Sequence, residues 1–293
     1  MTGRADLLFL GNYTRDTIVS SAGTRRVDGG AFNYGAHVAA AMGLRVAAVT
    51  HLARPDWHVV EDLAILGVDV HATSTPRSTC LRLEYLSSNL DERSIRVTST
   101  ADPFSPAEVQ ALEARAFVVG SSLRGEVPPA VVEALAAREG LLALDVQGFV
   151  RVARDGLLAH EPWPEQEAVL ARVDVLKVDA VEAELLTGEK DVRVAAQALA
   201  ASGPAEIVLT HRDGLLVHAG DGVHHAPFFP QRLAGRSGRG DTCLAAYVAR
   251  RLSHSPAEAT VWAAAVTSLK MESEGPFRRT LGEVERLIAE RYR

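Results

Sequence analysis

The chain has 293 residues, 47% hydrophobic and 23% charged, with a formal net charge of -6. That balance fits a folded globular protein and excludes disorder, and the lack of a basic excess excludes an electrostatic footprint for nucleic acid or an anionic membrane. Two cysteines, Cys80 and Cys243, with no CxxC and no Cys/His cluster, exclude a disulfide framework and a structural zinc.

The first apolar run, in MTGRADLLFLGNY, is too short for a signal segment, and no later run reaches the roughly 18 residues of a membrane span. A cytoplasmic protein is expected, with small-molecule partners rather than nucleic acid or membrane. Predicted strands follow at DLLFLG (6–11), RVAAVTHL (45–52), AFVVGS (116–121), LLALDV (141–146), DVLKV (174–178) and EIVLT (206–210). Helical stretches lie between them, among them 55–67, 128–139 and 192–202. Strands alternating with helices imply a mostly parallel sheet covered on both faces, so the fold class is α/β, in one domain over 1–293. Segments 17–28 and 78–98 alternate polar and apolar residues and carry turn signals at Ser21–Gly23 and Ser88–Asp91. They predict a small antiparallel β flap with one wet face, either a lid over a site or a plain surface hairpin.

From 239 onward the pattern is helical. Leu244, Tyr247, Val248 and Leu252 share one face. The helix is entered through AGRSGRGD, which reads as an adhesion tripeptide, a capped glycine turn or a phosphate-handling corner. A helix N-terminus offers unpaired N–H groups and partial positive charge, and Gly238 and Gly240 let an anion approach the backbone. Asp241 either caps the helix or stands free as a carboxylate, and local sequence leaves both open. Other phosphate motifs are absent: Lys177, Lys190 and Lys270 are followed by Val, Asp and Met, so there is no P-loop. Gly235, Gly238 and Gly240 are spaced GxxGxG late in the chain, unlike a dinucleotide fingerprint, and Arg239 stands where a GxSxG elbow around Ser237 needs glycine.

AGRSGRGDTCLAAYV resembles the C-terminal signature of the ribokinase-like carbohydrate kinases, the pfkB family. GGAFNYGAHVAAAMGLRVAAVT (29–50) is similar to the family's Gly-Gly motif, KVDAVEAELLTG (177–188) to its Asn-x-x-Glu segment, and VLTHRDGLLVH (208–218) to its Thr-x-x-x-Gly nucleotide strand. The resemblance implies a three-layer ribokinase-like fold with a β lid, and ATP-dependent phosphorylation of a sugar, polyol or nucleoside hydroxyl with Mg2+. Asp241 matches the general base, with the N–H groups of Gly238, Arg239 and Gly240 as the anion hole. Glu182 matches the magnesium-organising glutamate, and Asp179 stands at the Asn position. Thr210 and Gly214 match positions lining ATP. Asp16, with Gly29, Gly30 and Asn33, is expected to hold the acceptor, helped by Asn12 and by Asp145 and Gln147 at a strand end. Arg82 and Glu84 on the flap reach the acceptor or merely pair across strands.

Three departures from the family pattern stand out. Gly235 and Arg236 replace the usual Asp-Thr, which argues against potassium activation. Arg239 replaces a small residue, and Asn33 is shifted by one, so the pocket need not suit ribose. DVQGFVR and the short flap resemble the inositol and nucleoside kinase branches. Gly235, Arg236 and Asp179 also motivate an alternative, a nucleotide-binding sensor or pseudokinase without turnover, and flap pairing leaves monomer and homodimer open.

Overall fold

The structure is a computed structural model that describes residues 4–21, 23–85, 93–220, 222–235 and 237–292. In chain order the elements are β1 (Ala5–Leu10), β2 (Thr14–Ser20), β3 (Gly23–Gly29), α1 (Ala31–Ala41), β4 (Val46–Leu52), α2 (His58–Ile65), β5 (Asp69–Ser74), β6 (Thr79–Tyr85), β7 (Arg93–Ser99) and β8 (Ala114–Val119). There follow α3 (Pro129–Ala136), β9 (Leu141–Asp145), α4 (Gln147–Val150), β10 (Arg151–Arg154), β11 (Leu157–His160), α5 (Gln166–Leu170), β12 (Val175–Asp179), α6 (Ala180–Thr187), α7 (Val192–Ala200), β13 (Glu206–Thr210), β14 (Gly214–Ala219) and β15 (Gly222–Pro227). Three helices close the chain: α8 (Arg239–Arg251), α9 (Pro256–Met271) and α10 (Leu281–Arg291).

A nine-stranded sheet runs in the order β15-β14-β13-β12-β9-β8-β1-β4-β5. It is parallel from β13 to β5, and only the β13–β14 and β14–β15 pairings are antiparallel, so β14 alone runs against the other strands. Strand β4 is buried at every residue, as expected of a strand covered on both faces. One apolar layer joins the sheet to α1, α8 and α9 and contains Phe32, Tyr247 and Trp262. The other packs α3, α6 and α7 through residues such as Val132, Ala183 and Leu199. The layers are those of a ribokinase-like α/β fold. Strand order reverses at β1, whose neighbours β4 and β8 continue in opposite directions, and crevices for ligands open beyond the C-terminal ends of strands at such a point. There the chain is tight: Gly120 N–H donates to the Leu10 carbonyl (2.9 Å), and a side chain on Gly11 would collide with Gly120 O.

The lid differs from the small antiparallel flap expected. It is a six-stranded sheet, β10-β11-β7-β6-β2-β3, in which β2 and β6 pair in parallel. Hairpin β10–β11, from a segment assigned no strand by its pattern, adds to the edge of β7 through Leu157 and Arg96. Within the first predicted turn Gly23 opens β3, while the turn expected at 88–91 lies outside the described residues.

Candidate active site

The glycine turn is built by exclusion. Gly238 is the N-cap of α8 with φ 73°, a left-handed conformation that L side chains rarely adopt, and a Cβ there would strike the Tyr34 ring. No side chain caps the helix, so the opening amides stay available to a ligand. Asp241 lies in the first turn of α8 and accepts no capping bond. A Cβ on Gly240 would meet Lys177 Nζ at 2.7 Å, so the second glycine lets a buried ammonium lie against the turn.

Behind the turn is a compact charge network. Lys177 is 3% exposed; its Nζ stands 3.1 Å from Asp145 Oδ2 and 3.7 Å from Glu182 Oε2. Burial opposes the Lys177 charge, but the Asp145 and Glu182 carboxylates prevail and raise its pKa. Glu182 is fully buried, and burial pushes its carboxyl up against the pull of Lys177. It closes a capping box with Asp179: Glu182 N–H donates to Asp179 Oδ1 and Asp179 N–H to Glu182 Oε2, both at 2.8 Å. Its other oxygen has no hydrogen-bond partner and faces Arg151 Nη2 at 3.6 Å. Burial likewise raises the Asp241 carboxyl, opposed by Lys177, Arg151 and Lys270. A carboxylate held above its ordinary range is the stronger proton acceptor that base chemistry requires.

Two cavities meet over Asp241. A cleft of about 480 Å³ lies beyond the ends of β12 and β13, lined by the cationic residues Arg93, Arg151, Lys177, Arg212 and Arg239 and by Asp179, Thr210 and His211. A smaller pocket under the lid is lined by Asp16, Gly30, Tyr34, Ser121, Leu81 and Leu83. Six residues border both: Arg93, Gln147, Arg151, Ser237, Gly238 and Asp241. Asp241 thus borders both cavities where they meet. Asp16, 7% exposed, has Oδ1 without a hydrogen-bond partner, and burial raises its pKa to about 6. Tyr34 Oη and Ser121 Oγ are also buried and unpartnered, leaving this pocket polar groups for a hydroxylated ligand.

Of the residues singled out in the sequence, Asp16, Gly30, Gln147, Asp179, Thr210, Gly238, Arg239, Gly240 and Asp241 line the two cavities. Asp145 and Glu182 stand behind them through Lys177. Gly29 and Asn33 support the pocket from outside its lining: a side chain on Gly29 would meet Thr14 Oγ1, and Asn33 Nδ2 donates to the Asp28 carbonyl at 3.3 Å. Asn12, 1% exposed, is also outside the lining, although its carbonyl approaches the Cβ position of Gly30. Gly214 opens β14 and packs on the backbone of Ala226 and Pro227, outside the cleft lining. Arg82 pairs with Glu84 at 2.7 Å and lines neither cavity. Arg236 lies outside the described residues. Pattern reading missed Arg93, Arg151, Lys177 and Arg212, since single cations on strands or in a connecting loop carry no motif; the one signal was Lys177 in a buried strand, where an ammonium needs partners.

A larger groove, about 790 Å³, lies at the opposite, N-terminal ends of β1, β4 and β5. Of its charged lining, Arg45 is bound to Asp6, and it lacks the convergent buried groups of the cleft. The pfkB family carbohydrate kinase model matches residues 11–278. The chain belongs to this family. Among solved structures, this carbohydrate kinase is similar to a pyrophosphate-dependent kinase of the ribokinase family complexed with a pyrophosphate analog and myo-inositol, at 32% identity and TM-score 0.88, covering 96% of this chain and 99% of that one. A pyrophosphate-dependent myo-inositol-1 kinase converted into a myo-inositol-3 kinase by two substitutions matches at 32% identity and TM-score 0.87, covering 98% and 100%. Ribokinase of Arabidopsis thaliana shares the fold at 18% identity and TM-score 0.77, covering 98% and 99%. Comparison with curated proteins gave no match. The protein is a carbohydrate kinase, a phosphotransferase acting on a sugar or polyol. No helix among the described residues is long and apolar enough to cross a membrane.

Proposed function

We propose that this kinase transfers a phosphoryl group from inorganic pyrophosphate to one hydroxyl of a cyclic polyol of the inositol class, releasing orthophosphate. One observation carries the donor: among the described residues five cationic side chains line the cleft, while Ala180 and Val181 are the only aliphatic ones. A small polyanion uses the four arginines, with Lys177 behind them, whereas a nucleotide needs an apolar slot for its base. ATP, the donor implied by the motifs, is the second reading; His211, stacked on His225 with ring centroids 5.3 Å apart, offers it an aromatic face at the cleft wall. The identity above 30% to a pyrophosphate-dependent kinase supports the first.

The acceptor sits under the lid with hydroxyls donating to Asp16, and the donor lies among the arginines. The attacking oxygen forms a bond to one phosphorus as the bridging P–O bond breaks; Asp241 takes the hydroxyl proton and orthophosphate leaves. The amides of Gly238, Arg239 and Gly240 face the charge that develops on the transferring group, and Arg93 and Arg151 flank it from the lid. The Arg239 side chain makes no hydrogen bond or ion pair among the described residues, which leaves its guanidinium free for the leaving phosphate. Mg2+ fits beside the cleft, where Asp179 lines the wall and the unpartnered Glu182 oxygen stands behind it. Asp179 and Glu182 would help hold the ion, which would supply charge neutralisation to the donor.

The test is phosphorylation of inositols, sugars and nucleosides with pyrophosphate or ATP, each with Mg2+, following orthophosphate or ADP. Turnover of a cyclic polyol with pyrophosphate is expected, with kcat reduced about 10³-fold or more in Asp241→Asn. ATP turnover without pyrophosphate turnover overturns the donor assignment, and donor binding without turnover of any acceptor favours the sensor reading.

A further inference from the structure

Lys270 belongs to neither cavity, yet it touches the catalytic turn. It lies near the end of α9 and is 1% exposed; its Nζ donates to the Ser237 carbonyl and lies 5.2 Å from the Tyr34 ring centroid. That ring also abuts Gly238, so the Ser237–Gly238 peptide is gripped by an ammonium on its carbonyl and an aromatic face at its glycine. A trans peptide is planar, and its C=O and N–H point in opposite directions. Ser237 borders three spaces: the donor cleft, the acceptor pocket, and a third pocket that Lys270 lines together with Arg25, Tyr85 and Glu274; Gly238 borders the first two and not the third. Fixing the carbonyl on Lys270 therefore turns the Gly238 amide toward the cleft, where the phosphoryl group transfers.

We propose that Lys270 is a positioning residue: its ammonium locks the Ser237–Gly238 peptide in the orientation that makes Gly238 N–H a phosphoryl-binding donor, and polarises that amide through the carbonyl it holds. The inference rests on the kinase assignment but not on the choice of donor. Glycine at 238 gives the peptide the freedom that makes such a lock necessary. The lysine is a poor structural choice at this place. Burial lowers its pKa to about 8, with Asp241 and Glu274 opposing that shift and Arg239 adding to it. An apolar side chain of equal length would sit there at lower cost to the fold.

The distinguishing experiment compares wild type with Lys270→Met and Lys270→Ala, using whichever donor wild type accepts. In Lys270→Met, kcat is expected to fall about 10²-fold, the cost of losing one preorganised donor, while acceptor KM changes less than about threefold and Tm holds or rises. In Lys270→Ala, ethylammonium entering through the third pocket is expected to restore at least about tenfold of kcat, with no effect on wild type. Selective 15N-glycine labelling reads the lock without turnover: the Gly238 amide resonance should move in both variants and return toward its wild-type position with ethylammonium. If wild type proves inactive with every donor, the functional reading fails, while the resonance still judges Lys270. A kcat within about threefold of wild type in Lys270→Met, an unmoved Gly238 resonance, or a loss of kcat matched by loss of Tm and acceptor binding without rescue overturns the proposal.

Discussion

In the function proposed above, Asp16 trades stability for binding. Its carboxylate is buried with one oxygen unpartnered, and burial brings its pKa to about 6. The folded protein holds the Asp16 proton up to about that pH, whereas an unfolded aspartate releases it near 3.9. Between those values the folded state binds more protons, so this group's contribution to stability falls as pH rises through the window and stays unfavourable above it. Asp16→Asn should therefore be more stable than wild type by about 1 to 3 kcal/mol at pH 7, with the difference vanishing near pH 4. The same variant should raise acceptor KM at least about tenfold, because a charged acceptor for two hydroxyls becomes a neutral one. Thermal unfolding at pH 4, 5, 6 and 7 beside acceptor kinetics checks both; equal Tm differences across that range would show that Asp16 carries no buried-charge penalty.

At the scale of elements, the start of α8 separates two kinds of glycine. Gly238 needs φ 73° and has the Tyr34 ring against it, so Gly238→Ala should lose about 1 to 3 kcal/mol of stability together with activity. Gly240 lies within the helix, where alanine is favoured by up to about 1 kcal/mol, and its obstruction is the flexible end of Lys177. Gly240→Ala should keep wild-type stability within about 1 kcal/mol but lose activity by displacing Lys177 from the turn; urea unfolding and kcat measured on both variants separate them. Both glycines were legible in sequence as a phosphate-type turn, and the strands at 45–52, 141–146 and 206–210 were legible to within a residue, because continuous apolar runs between helices leave little choice. The lid was only half legible. Strands β2, β3, β6 and β7 come from the two segments that alternate polar and apolar residues, whereas RVARDGLLAH forms a hairpin that pairs with β7 through a single described register position, and no periodicity announces so slight an attachment. Arg151 begins that hairpin and Arg93 begins β7, so the cations they bring to the site became visible only with the tertiary pairing. Asp241 as cap or free carboxylate was likewise open in sequence, since the choice depends on Gly238 occupying the cap position.

The whole molecule sets its charge against its site. The net charge is -6, yet five cations converge on the donor cleft. A polyanionic donor is repelled by the molecule at long range and attracted once it enters the cleft, where low-dielectric walls focus the field. Mobile ions weaken both effects, but exposed Arg212 and half-exposed Arg93, Arg151 and Arg239 are reached by salt, whereas Lys177 is sealed inside. Attraction at the mouth acts within a few ångströms of the bound donor, while the repelling charges, Asp179 and Asp241 in the cleft lining apart, are mostly spread over the surface beyond a Debye length of about 8 to 10 Å. Added salt should thus weaken donor binding on balance. Between 50 and 500 mM NaCl the KM for pyrophosphate should rise several-fold, while the KM for an uncharged polyol, held by Asp16 and neutral groups, changes by less than about twofold. Steady-state kinetics with each substrate varied in turn makes the comparison. Parallel changes in both constants would mean that salt acts on the fold or the lid, and that the arginines around the cleft are not what holds the donor.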